Sequence, residues 1–375
     1  MDNKKVLILT LCDLSKAFDS VNHEILLNKC AKLNIDKFWF NSYMHKRSQS
    51  VRLNNMLSKK IDLHYGVPQG SILGPILFSI YVNDLAEKFD ECSLVQYADD
   101  TQFLHADTIN NLERLVSKTE ETLCNMKQYF LWNGLMLNSK KTQCIFIGNR
   151  QLLSRIPPDT YINCDGERIS PTTHVKNLGV YFDRYMLFDV HIAEMNKKIM
   201  GLLMYIRRIS DNFDKPTRTI VVQTLVLSLM NYCITIWGST NVTLLHRVQK
   251  LQNFAAKVAA GGASKYDHVT PIIKELQWMK IEEKFVYEKC ITMYKALNGL
   301  YPKWLLQLST VGEHTGGTTR QLGDLYVPRS NTDSGARATT VSGPWLWNNL
   351  PYCITNSGSL LSFKSRLKNR FVSSE

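Results

Sequence analysis

The chain has 375 residues, 44% of them hydrophobic and 21% charged, with 11 Pro and 19 Gly. It is long enough for two or three cores, and too apolar for a disordered or fibrous chain. Its 45 Lys and Arg against 33 Asp and Glu leave a net charge of +12, which points to a polyanionic partner. Residues 1–100 hold 12 bases and 12 acids, so the whole excess lies beyond residue 100. The nine cysteines are scattered, with no C-x-x-C or Cys/His cluster for zinc, and suit a reducing compartment better than a disulfide framework.

In chain order, Val6–Cys12 reads as a strand, too short for a leader's apolar run and ended by Asp13. A helix is predicted over Lys16–Leu33 and a hairpin from Ser50–Asn54 and Lys60–Leu63. A further helix runs from Gly74-Pro75 to about Phe89, with proline at its first turn. Ser93–Tyr97 and Gln102–His105 form strands on either side of a tight Asp-Asp turn. Ile109–Leu135 is a long amphipathic helix, and Gln143–Gly148 and Leu178–Phe182 are strands. The fold class is therefore α+β, an antiparallel sheet with helices on one face. From about residue 186 helices dominate: Asp189–Ser210, Pro216–Trp237, Thr243–Ala260 and Ile281–Asn298. Thr219–Leu245 carries no charge, but Gln223, Thr224, Ser228, Asn231, Tyr232 and Thr235 make it a buried core helix rather than a membrane span. The remainder, from roughly 310, is loop-rich and ends in a basic helix at Ser362–Phe371.

Three strings in the first hundred residues carry chemistry. Asp13 stands at the end of a buried strand, where an unpaired carboxylate costs several kcal/mol and wants a cation or an open mouth. Tyr97-Ala-Asp99-Asp100 places two carboxylates at a hairpin tip, where like charges repel and a divalent cation is the natural remedy. An Asp-Asp turn is also a common structural device. With the two strands adjacent in one sheet, Asp13 meets Asp99 and Asp100 in an oxygen-rich site suited to two Mg²⁺ ions, or Mn²⁺ in their place, and to phosphoryl transfer. Gly66-Val-Pro-Gln69-Gly70-Ser-Ile-Leu-Gly74-Pro75 is a rigid loop entering a helix, which lets backbone approach a nucleotide or template closely. A plain turn and helix cap would look the same.

Asp13-Leu-Ser-Lys-Ala-Phe-Asp-Ser-Val21, Gly66–Pro75 and Tyr97–Asp100 occur in this order. Leu137-Asn-Ser-Lys-Lys141-Thr142 and Asn177-Leu-Gly-Val180 follow, and then Gly343-Pro-Trp-Leu-Trp-Asn-Asn-Leu-Pro351. In these strings the chain resembles the reverse transcriptases of non-LTR (LINE-type) retrotransposons, especially the Jockey-like branch. The resemblance implies a reverse transcriptase palm over 1–185, an α-helical thumb-like region over 186–300 and a loop-rich C-terminal tail over 301–375. It implies an RNA-directed DNA polymerase acting on an RNA template, a DNA primer and dNTP. Asp13, Asp99 and Asp100 would hold the metal ions, and Phe18 would gate the sugar against a 2′-OH. Gln69 and Gly70 would lie under the templating pair, Lys141 would serve the leaving pyrophosphate, and Leu178-Gly179 would hold the primer. Asp19 would support the site. Lys197, Lys198, Arg207, Arg208, Arg218, Arg247, Lys250 and Lys257 would line a duplex backbone.

The family places a fingers region ahead of the strand that ends at Asp13, and the twelve residues before Asp13 leave no room for it. The sequence is accordingly expected to be a 5′-truncated copy or an incomplete gene model, with fingers, if any, supplied by a separate chain. The alternative to the polymerase is a catalytically idle nucleic-acid-binding remnant. A viral RNA-dependent RNA polymerase fits less well, given Phe18 and Ala98. No Lys/Arg run marks a nuclear signal, and no membrane partner is expected.

Overall fold

The computed structural model describes residues 4–89, 91–261, 266–315 and 324–372, in two compact units, Asn3–Val175 and Lys176–Glu375. The first is built on four strands, β1 (Lys5–Cys12), β2 (Ser93–Tyr97), β3 (Asp100–Thr108) and β4 (Gln143–Ile147), in the order β4-β1-β3-β2. Each neighbouring pair is antiparallel. β1 alternates as a half-buried strand must: Val6, Ile8, Thr10 and Cys12 are buried, and Thr101, Phe103 and His105 of β3 are buried likewise. The helices of this unit include α1 (His23–Lys32), α2 (Leu73–Val82) and α3 (Leu112–Trp132). α3 buries Leu115, Thr119, Leu123, Met126, Tyr129 and Phe130, a 3.6-residue stripe in which each large apolar side chain contributes roughly 1.5–3 kcal/mol. His105 and Thr122 of α3 share a 2.9 Å hydrogen bond, which seats α3 on that face of the sheet.

Several elements differ from the sequence expectation. The single helix over 16–33 is two pieces. Lys16 is left-handed, Ala17–Ser20 forms a 3₁₀ turn, Val21 is extended, and Asn22 caps α1 by accepting from the Glu24 and Ile25 amides. The carbonyls of Phe18 and Val21 accept instead from the amides of Val67 and Gly66, so the Gly66–Pro75 loop competes successfully for them. The helix from 74 to 89 is interrupted after Val82 and resumes at Leu85–Lys88. There the Tyr81 carbonyl accepts from Lys29 Nζ at 2.6 Å, while Asp84 accepts from Lys29 at 2.7 Å and from the Tyr129 hydroxyl at 2.5 Å. The hairpin near 50–63 is two short ladders, Ser48–Gln49 with Ile61–Asp62 and Arg52–Leu53 with Met56–Leu57. A hairpin of Ile162–Cys164 and Glu167–Ile169 was not foreseen.

The second unit is reached through a hairpin, β5 (His174–Asn177) and β6 (Val180–Asp183). Leu178 and Gly179, expected to lie in a strand, are its two-residue turn, with φ of 43° and 85°. Both residues left-handed is what a tight hairpin of the correct twist requires. A Cβ on Gly179 would stand 3.2 Å from the Tyr232 ring, whose hydroxyl donates to the Leu178 carbonyl at 2.6 Å. Gly179→Ala is therefore expected to lose about 1–2 kcal/mol in urea unfolding, and an unchanged midpoint would refute this reading of the turn.

Helices α4 (Asp189–Ile209), α5 (Lys215–Val222) and α6 (Val242–Ala260) build the main core of this unit. Ile192, Ile199, Leu203 and Ile206 of α4 meet Val222, Val226, Met230 and Trp237 and, from α6, Val248 and Ala255. The expected helix over 216–237 does not run unbroken. After α5 comes one π-helical turn, Gln223–Leu227, then Ser228–Asn231, then a break at extended Tyr232 and left-handed Cys233, then Ile234–Trp237. Thr224 and Ser228 donate their hydroxyls to the carbonyls of Ile220 and Thr224, a back-bonding that bends helices. Among the described residues no helix is long and apolar enough to cross a membrane.

Past residue 280, α7 (Ile281–Leu297) carries α8 (Thr339–Asn348) and α9 (Leu360–Val372). Cys290, Ile291 and Tyr294 of α7 pack with Ile354, Phe363 and Leu367. Thr339–Asn348 falls in the stretch expected to be loop-rich from roughly 310, yet it is a helix with Gly343 and Pro344 buried in it. A Cβ on Gly343 would collide with the Met293 sulfur at 2.6 Å, so glycine here is a close-packing residue and not a breaker. Gly316-Gly317, also read as loop, lies outside the described residues.

Candidate active site

Sheet register assembles the acidic cluster. Cys12 pairs with Thr101, and Tyr97 pairs with Asp100, so Asp13, one residue past β1, lies beside the Ala98-Asp99 turn. Ala98 takes φ 54°, strained for a residue with a Cβ and of the kind that collects at functional sites. The Asp100 carboxyl is pushed above the usual carboxylate range, first by burial and then by the charges of Asp99 and Asp13. Asp100 thus feels the charges of both other carboxylates.

A second segment fixes Asp13. Its N–H donates to Thr142 Oγ1 at 3.4 Å, and its carbonyl accepts from the Asn138 amide at 2.8 Å. Leu14 pairs with Leu137, and Thr142 closes its own loop through the Asn138 carbonyl. Lys141 Nζ stands 3.9 Å from Asp13 Oδ2, an exposed contact of about 0–1 kcal/mol. Asp13 Oδ2 is shielded from solvent and has no hydrogen-bond partner. A carboxylate oxygen that accepts no hydrogen bond and meets Lys141 only at 3.9 Å, beside two further carboxylates, is a donor set for a hard cation. Among the described residues no three acidic, His or Cys side chains close around a point as a finished metal cage.

The remaining site residues of the first unit surround this cluster in sequence. Phe18 is half-buried, stacked on buried Phe78 with centroids 4.7 Å apart. Gln69 is exposed and donates to Asp19 Oδ1 at 2.9 Å, so Asp19 orients Gln69. Gly70 has φ 78° and open space where a side chain would be. His23 bonds the Gly66 carbonyl at 2.8 Å, pinning the loop. Lys16, His23, Arg47, His64 and Gln69 share the wall of a cavity of about 840 Å³ with Asp19 and Asp62. Lys16 and Arg47 there, and Asn138 and Thr142 behind Asp13, were missed. For the last two the signal was available in the quoted Leu137–Thr142 string, of which only Lys141 had been given a role.

In the second unit Lys197, Lys198, Arg207 and Arg208 are exposed on α4, Arg247 and Lys250 are exposed on α6, and Lys257 is half-buried. Arg218 corrects the expectation of a duplex contact. Its guanidinium donates to the carbonyls of Ser210, Phe213, Ala259 and Ala260 at 3.1–3.4 Å, closing the C-terminal ends of α4 and α6, where cations belong. Leu178-Gly179 form the turn described above.

Residues 1–182 match the family model of the reverse transcriptase (RNA-dependent DNA polymerase). The chain carries a reverse transcriptase domain. Relatives of the chain include the probable RNA-directed DNA polymerase from transposon BS of Drosophila melanogaster, 27% identical over 76% of this chain and 32% of that protein. The RNA-directed DNA polymerase from mobile element jockey of the same fly is 24% identical over 87% of this chain and 34% of that protein. The chain spans about a third of the length of each. Among solved structures, telomerase from Candida tropicalis in complex with a TWJ fragment of telomeric RNA is similar at a TM-score of 0.38 and 13% identity, over 76% of this chain and 47% of that one. The reverse transcriptase assignment rests on the family match and the curated relatives, not on this likeness.

Proposed function

We propose that the chain is the palm and thumb of an RNA-directed DNA polymerase of a non-LTR retrotransposon. It would join a dNMP to a primer 3′-OH on an RNA template. The observation that carries this is the register that sets Asp13 beside the Asp99-Asp100 turn, with Asp13 Oδ2 accepting no hydrogen bond and Asp100 pushed up. The proposal takes 1–185 as palm, 186–300 as thumb-like and 301–375 as tail. Asp13, Asp99 and Asp100 hold two Mg²⁺ ions, or Mn²⁺, whose chemistry when bound is to acidify the primer hydroxyl and offset phosphate charge. The primer oxygen attacks the α-phosphorus, the bond to the β-phosphate breaks, and pyrophosphate leaves. Phe18, held by Phe78, bars a ribose 2′-OH. Gln69, oriented by Asp19, and Gly70 support the templating pair. Lys141 donates a proton or charge to the leaving pyrophosphate, and Leu178-Gly179 seat the primer. The exposed cations of α4 and α6, without Arg218, give salt-dependent grip on the duplex.

The second reading is an idle nucleic-acid-binding remnant, in which the exposed cations of α4 and α6 grip a duplex and the acidic cluster does no chemistry. Primer extension on an RNA template with dNTPs and Mg²⁺ separates the two. It is run with the chain alone and with fingers of a jockey-type relative added as a separate polypeptide, since the proposal admits that partner. No extension in either case, with duplex binding intact, would leave only the remnant. In an extending protein, Phe18→Val raises the ratio of ribonucleotide to deoxynucleotide incorporation by roughly 10-fold or more. An unchanged ratio removes Phe18 from the sugar gate.

A further inference from the structure

The second unit holds a cavity of about 280 Å³, lined by Asn231, Gln277, Trp278, Lys284, Tyr287 and Lys368 among others. It lies where the helical region is least regular. Leu227, the last residue of the π turn, contributes to its wall, Asn231 immediately precedes the break at Tyr232, and Gln277 is left-handed at φ 54°. π-bulges concentrate at functional sites. Trp278 is only 8% exposed, and its buried indole N–H has no hydrogen-bond acceptor. A donor left in that state is costly, and native proteins seldom retain one without a use.

The wall chemistry narrows the ligand. Lys284 is already committed, to Glu288 at 2.6 Å and over the Tyr287 ring at 4.9 Å, and so braces that ring. Lys368 is exposed at the rim. Gln252 is buried and bonded to the Met279 carbonyl, which fixes the wall next to Trp278. One available cation, two amides and two aromatic rings are too little charge for a free polyphosphate. They match a base with its single phosphate, since unstacked bases are recognised by aromatic stacking and amide hydrogen bonds.

We propose that this cavity receives one unstacked nucleotide of single-stranded RNA, the base shifting the wall so that Trp278 Nε1–H, closed off in the unliganded molecule, donates to a base acceptor. Tyr287 supplies the stacking surface, Asn231 and Gln277 read the base edge, and Lys368 meets the phosphate. The choice of RNA rests on the polymerase reading, but the binding itself does not involve the acidic cluster.

The test uses the full chain in EDTA without dNTP, with fluorescein-labelled RNA tetramers followed by anisotropy. Trp278→Phe, which keeps a ring and removes the donor, is expected to weaken tetramer binding about 5-fold, and Lys368→Gln, at an exposed position, about 3-fold. Neither changes affinity for a duplex RNA of 16 base pairs, and a 4-thiouridine tetramer crosslinks within residues 277–287. Unchanged tetramer affinity in both variants, or equal losses for tetramer and duplex, overturns the proposal. If the parent extends no primer but the variants show the tetramer-selective loss, the polymerase reading fails and the cavity stands.

Discussion

Asp100→Asn is expected to extend no primer and to melt at a higher temperature than the parent protein. Activity falls on the order of 10³-fold, about 4 kcal/mol of lost transition-state stabilisation, because an oxygen that would bind metal on the proposed reading is replaced by an amide. Stability moves the other way. Burial and the charges of Asp99 and Asp13 raise the Asp100 carboxyl, so the folded protein holds that proton more tightly than the unfolded chain. The resulting stability is fully present below the ordinary carboxylate value, is lost as pH rises through the folded one, and is absent at pH 7. The neutral amide removes this penalty. The gain in Tm at pH 7 should shrink as pH falls toward the usual value of 3.8. Thermal unfolding of parent and variant at several pH values is the check. A lower Tm for Asp100→Asn at pH 7 would mean that the carboxylate is a structural turn residue and not part of a repelling cluster.

Lys289→Met is expected to stabilise the second unit by about 1–3 kcal/mol at pH 7. The side chain is fully buried between α7 and α8, where Nζ donates to Ser342 Oγ at 2.5 Å and approaches the Arg337 carbonyl at 3.4 Å. It lies 4.9 Å over the Phe285 ring, and no ion pair among the described residues includes it. Burial lowers its pKa from 10.5 to about 8. The folded state therefore gives up the proton more readily than the unfolded chain. The penalty is complete below about pH 8 and is relieved as pH rises toward 10.5. Cys290 beside it is pushed up to about 12 by burial and does not titrate in that interval. Methionine fills similar volume without the charge, and Ser342 keeps its bond to the Ala338 carbonyl. Urea unfolding at pH 7 and pH 9.5 should show the parent gaining stability with pH at this position and Lys289→Met not. A destabilised variant would mean that the two hydrogen bonds outweigh the buried charge.

What could be read beforehand was local. Asp13, the Gly66–Pro75 loop and Asp99-Asp100 announce themselves because residue type and spacing suffice, and the pairing of β2 with β3 follows from the short turn between them. What could not be read depended on distant competition for backbone groups. The helix expected through Lys16–Leu33 has no breaker in its sequence. It breaks because the carbonyls of Phe18 and Val21 serve residues 67 and 66. The π turn at Gln223–Leu227 and the break at Cys233 likewise carry no Gly or Pro to mark them, while Gly343-Pro344 carries both and lies inside a helix. Arg218 looked like its exposed neighbours because charge alone does not reveal four carbonyls waiting for a guanidinium.

The central position of β1 also sets an order of assembly. Its residues bond β3 on one side and β4 on the other, and Asp13 is tied to Thr142 across a separation of 129 residues. A chain emerging from the ribosome would thus carry the motif residues through Asp100 for several seconds, at roughly 5–20 residues per second, before Thr142 arrives to brace Asp13. Until then the edge of β1 that β4 will cover stays unpaired. The unit should fold slowly, as non-local pairings do, and a nascent chain halted before residue 142 should be a client for chaperones and insoluble without them.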